Sequence, residues 1–287
     1  MILGNLAEAM EFLPSVNMTV ANGRFTDFFR RSQSWLVSRV LGAEIETALE
    51  EEFDTEDDSH AALRRLCRRV IAGKALLDAI PEMDMQLTEA GFAVQQNDNF
   101  TPASSQRVDR LVGMMPERIA NDVDMLVDHL VMATKDGGYG SALYDGWRGT
   151  EQYKRLTAAF MPTMRECSSV QGHPVFKDYD EFYSALPSLY RSMKETAGHY
   201  VSPAEIDRLL ELFRDGDTLE IHRRAIEELK VAAVASAAGA VRRARSAAAS
   251  AREIMMSSPG DFPAFRNSSA FSSLNVNLDG GRIVNFT

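Results

Sequence analysis

The sequence predicts a mainly α fold: a helical bundle with two small β-hairpins, internally duplicated. Three observations lead there. Apolar residues recur at helical spacing through most of the chain, most clearly Leu63, Leu66, Val70, Leu77 and Ile80. Two short stretches, 83–94 and 274–286, alternate apolar and polar residues around a glycine turn. The first and last parts of the chain repeat one order of features.

The elements follow in order. Residues 1–24 form a short irregular segment that Pro14 and Asn22-Gly23 interrupt. Residues 25–50 read as a helix through Phe28, Phe29, Trp35, Leu36, Val40 and Leu41, broken at Gly42 and resumed through Ile45 and Leu49. The acidic run EEEFDTEDD after it reads as a solvated turn, because it lacks the ligand spacing of a calcium loop. Ser59 is a plausible cap for a helix that Pro81 ends. Met83, Met85 and Leu87, a Glu89-Ala90-Gly91 turn, then Phe92 and Val94 predict the first hairpin.

A helix resumes near Ser104, which Pro116 should kink or split. The Gly-rich stretch 135–149 reads as a loop, 150–160 as a short helix, and RECSSVQGHPVF as another loop. Residues 180–197 form a helix that Gly198 stops, and Ser202-Pro203-Ala204-Glu205 starts the next. Asp217 opens one very long Ala-rich helix to about Met256. In the tail, Leu274, Val276 and Leu278, an Asp279-Gly280-Gly281 turn, then Ile283, Val284 and Phe286 predict the second hairpin.

The halves align as follows. Ala43-Glu44-Ile45 corresponds to Ala204-Glu205-Ile206, and His60 to His222, each followed by a long helix and then a hairpin. Two such units can bury stripes together that neither buries alone. The expected organisation is an N-terminal segment 1–24, a first repeat 25–96, a helical connector 97–179, a second repeat 180–256 and a C-terminal arm 257–287.

Composition narrows the function. The 287 residues are 45% hydrophobic and 25% charged, which excludes wholesale disorder. A net charge of −10 argues against a general nucleic-acid binder. Two cysteines, Cys67 and Cys167, cannot build a disulfide framework or a Cys-rich zinc site. The opening residues lack a signal-peptide pattern, and the apolar run from Val231 is short of the about 20 residues of a membrane span. A soluble chain is therefore expected.

No P-loop, dinucleotide fingerprint, HExxH or nucleophile elbow occurs, so no cofactor and no metal are expected. Asp128-His129 is the one pair resembling acid–base machinery, but neighbours on a helix point about 100° apart. His60 and His222, at matching repeat positions, read as packing or hydrogen-bonding groups. Trp147, Tyr144 and Tyr153 read as core or interface anchors. Arg64, Arg65, Arg68 and Arg69 form the sharpest charge feature. They could track phosphates, but pairing with the acidic segment 50–58 of the same or a neighbouring subunit is the preferred reading. Arg242, Arg243 and Arg245 are expected to face solvent or a partner.

Several segments resemble a known family. QLTEAGFAVQQNDNFTPASSQRVDRL, together with FLPSV, WLVSRVLG and YDGWRGTEQYKRL, resembles an uncharacterised protein family of Bacteroidetes phages and prophages. The Ala-rich 231–251 and the Ser/Phe-rich 257–273 are less typical of it. The family brings no catalytic residues. The resemblance implies a non-enzymatic virion protein, a head–tail connector (neck or adaptor) or head-completion subunit. Such a subunit would form a homo-oligomeric ring, contact portal and neck or tail proteins, and assemble in the host cytoplasm. No membrane partner is expected, and DNA contact is left open without being predicted. Its interaction surface would comprise Arg64, Arg65, Arg68, Arg69, Arg242, Arg243 and Arg245, with Leu274, Val276, Leu278, Ile283 and Phe286 of the arm adding strands to neighbours. A cellular helical protein–protein interaction module is the alternative.

Overall fold

A computed structural model describes residues 1–13, 22–55, 60–83, 85–88, 91–94, 105–135, 141–216 and 219–276. The helices, in chain order, are α1 (Leu6–Met10), α2 (Asn22–Leu36), α3 (Ala43–Thr55), α4 (Ala61–Met83), α5 (Ser105–Lys135), α6 (Ser141–Gly149) and α7 (Glu151–Leu156). They continue as α8 (Met164–Gln171), α9 (Tyr179–Val201), α10 (Pro203–Arg214), α11 (Glu220–Ala237), α12 (Val241–Ser257), α13 (Pro263–Arg266) and α14 (Ser269–Val276). The chain divides into two compact units, residues 1–154 with 176–182, and residues 155–175 with 183–287.

The mainly α class fits, but the prediction of two small β-hairpins needs correction. Where the second was expected, Leu274 and Val276 lie in helix α14, and Leu278, Ile283 and Phe286 lie outside the described residues. Alternation over three apolar residues is too short a signal to tell a strand from a helical turn. The only paired strands among the described residues are two four-residue segments, Met85–Thr88 antiparallel to Gly91–Val94, with Met85 opposite Val94. They are a minor ribbon in a helical chain and do not define its architecture.

In the first unit α4 packs against both α2 and α5. Leu63, Cys67, Val70, Ile71 and Ala75 of α4 are buried, as are Met115, Ile119, Val123, Leu126 and Leu130 of α5. Gly73 sits at their contact: a Cβ there would lie 3.4 Å from Cγ1 of Ile119, an ordinary van der Waals separation. Helix α5 continues through Pro116 without splitting. Proline removes one backbone donor, and the buried stripe on either side of it offsets that loss. Pro81 likewise falls inside α4.

Between α2 and α3 the chain makes one π-helical turn, Val37–Leu41, closed by the amide of Gly42 on the Val37 carbonyl at 2.9 Å. Such a turn displaces the regular bonding pattern. The Trp147 indole donates to the Val40 carbonyl at 2.7 Å, and its ring is fully buried. Gly42 ends the turn at φ +76°, a conformation that favours glycine, and a Cβ would approach Cγ2 of Thr150 to 3.2 Å. The stretch 135–149, predicted to be a loop, therefore contributes a helix, α6, whose Trp147 anchors the break.

In the second unit, Gly198 does not stop α9, which continues to Val201. The break comes at Ser202, held at φ +73°, where its hydroxyl accepts from the Glu205 amide at 3.2 Å and caps α10. The predicted loop after Phe160 contains α8, capped by Thr163. The single long helix predicted from Asp217 to Met256 is also corrected. It is two helices, α11 and α12, joined by Ala238-Gly239-Ala240. The Ala240 amide bonds the Ala235 carbonyl at 2.8 Å, the Gly239 amide bonds Ser236 at 3.0 Å, and Gly239 sits at φ +72°. This is a Schellman stop, which glycine adopts without the Cβ penalty. The helices then pack closely on each other, with Ala232, Ala233, Ala244, Ala247, Ala248 and Ala251 buried. The alanines thus give close packing as well as helix propensity.

The two halves share a helix, a break at positive φ and a second helix, with Gly42 and Ser202 as the break residues. Counted from those breaks, Ile45 corresponds to Glu205, so the Ala-Glu-Ile match is one residue out of step with the helix starts. Beyond α11 the halves diverge: α4 is a single helix of 23 residues, whereas α11 stops after 18 and folds back as α12.

Candidate functional site

The arginines of α4 do not form one free surface. Nε of Arg68 donates to the Ile2 carbonyl at 2.8 Å, and its NH2 lies 3.7 Å from Glu8. Nε of Arg69 lies 2.7 Å from Oδ1 of Asp122, whose side chain is 3% exposed. The approach is close but falls outside hydrogen-bond geometry, so the contact is an ion pair. Burial raises the Asp122 carboxyl above the usual range, and the charges of Arg69 and Arg118 partly oppose that shift. Arg64 is half-buried and engaged, while Arg65 is exposed. Two of the four are thus bound to the N-terminal segment and α5. The expected partner was the acidic segment 50–58 of the same or a neighbouring subunit, whereas the acids beside Arg68 and Arg69 are Glu8 and Asp122.

The α12 arginines divide differently. Arg243 reaches α8, donating to the Val170 carbonyl at 2.8 Å and to Gln171 at 2.9 Å. Arg242 and Arg245 are exposed and make no ion pair among the described residues. Val241 and Met256, at the two ends of α12, are 52% and 41% exposed.

The histidine of the pair Asp128-His129 packs on α6. His129 faces Tyr144, with Nε2 3.4 Å from the phenol oxygen. Its pKa is lowered chiefly by burial and further by the nearby charge of His60. The His60 ring stands edge-on to the Tyr144 ring at 5.8 Å. His222 meets Phe262 in the same manner at 5.1 Å and sits 3.0 Å from the Asp261 carbonyl. Both histidines thus pack against an aromatic ring. Tyr144, Trp147 and Tyr153 are buried, with the last two rings 4.9 Å apart.

Sequence reasoning missed a buried polar cluster of the second unit. Glu205 is fully buried. Its Oε1 accepts from Arg208 Nε at 2.7 Å, and its Oε2 accepts from the backbone amide of Phe265 at 2.8 Å. Arg208 also donates to the Asp261 carbonyl. A helix-capping glutamate with an arginine three residues on was the available signal, but its far partner, 60 residues away, was not.

Among the described residues no group of three or more His, Cys, Asp or Glu could hold a metal ion, and no helix is long and apolar enough to cross a membrane.

Residues 35–157 match a family of unknown function (DUF6712). The matched span takes in the π-helical turn, α4, α5 and the Trp147 anchor, and falls almost wholly in the first unit. No curated protein and no solved structure matches the chain.

Proposed function

We propose that the chain is a non-enzymatic structural subunit of a tailed-phage particle, a head–tail connector or head-completion protein that acts as one of several identical copies. The resemblance noted in the sequence supplies the class. The observation that supports it is how the ionisable groups are used. His129, His222, Glu205 and Asp122 hold helices together within the fold, whereas Arg242 and Arg245 are left outward on a helical hairpin. A chain with its polar groups arranged in this way works through contact surface. Assembly would take place in the host cytoplasm, with portal and neck or tail proteins as partners.

The experiment is co-expression of the full chain with candidate portal and neck proteins, followed by affinity capture and negative-stain imaging. Rings of the chain and capture of portal or neck proteins are expected. A chain that forms no rings and captures neither would refute the reading; capture of host proteins alone would favour a cellular interaction module.

A further inference from the structure

We draw no further inference here: the strongest candidate, the cluster of His60, Tyr144 and His129 where the start of α4 meets α5 and α6, is packing already described, and beyond that it rests on the lowered pKa of His129 alone.

Discussion

Replacing Glu205 by alanine removes the acceptor that ties α13 to α10 and the acceptor that holds Arg208 within α10. The Phe265 amide loses a bond of 2.8 Å inside a core where Phe265 is itself fully buried. Orphaning a buried donor costs about 1–3 kcal/mol. Arg208 loses a charge-assisted bond of 2.7 Å, but its side chain is 27% exposed, so water recovers part of that loss. Taking a carboxylate out of a buried site gives back some desolvation energy. Together these give about 2–4 kcal/mol, concentrated in 261–276. Hydrogen exchange at the Phe265 amide is the direct assay, and its protection should fall by tens to hundreds of fold, since each tenfold is about 1.4 kcal/mol. Glu205→Gln keeps an oxygen for Phe265 but turns an amide toward Arg208, so about 1–2 kcal/mol is expected. Protection within about threefold of the wild type in Glu205→Ala would refute the idea that this carboxylate latches the C-terminal helices.

Three further outcomes follow from the same geometry. Gly239→Ala should destabilise the protein by about 1–2 kcal/mol because the residue sits at positive φ, whereas one continuous helix would gain about 1 kcal/mol; the sign of the shift in a urea midpoint separates the two. Trp147→Phe should cost about 1–3 kcal/mol by stranding the Val40 carbonyl of the π-helical turn, read by thermal melting with near-ultraviolet circular dichroism. His129, held below the ordinary histidine pKa by burial and by His60, takes its proton at higher pH when unfolded. Stability should therefore fall as pH drops below about 6.5, and His129→Gln should flatten that limb of the urea-midpoint profile; an unchanged limb would contradict the assignment.

The mainly α character and most helix positions were legible because their stripes are long: Leu63 to Ile80 and Met115 to Leu130 could be nothing else. What failed was local. Gly239 is one glycine inside an alanine-rich run, where helix propensity dominates a pattern reading, and only its left-handed φ shows that it ends α11. Gly198 misled in the opposite direction, because packing carries α9 past it and the break falls on Ser202, a residue with no intrinsic taste for positive φ. Leu274 and Val276 alternate as a strand would, yet lie in a helix. At the candidate surface, the sequence placed Arg68 and Arg69 with Arg64 and Arg65 because four arginines share one side of a helix. It gave no sign that Ile2, Glu8 and Asp122 would occupy two of them, since those partners are distant in sequence. The sequence placed Arg242, Arg243 and Arg245 toward solvent or a partner; all three are exposed, and Arg243 also bonds α8.

Quantitative mass spectrometry of purified phage particles, paired with cryo-electron microscopy of their necks, tests the central claim most directly. A fixed number of copies per particle, resolved as a ring between head and tail, is the predicted result. Particles that assemble in full and contain no trace of the chain would contradict it.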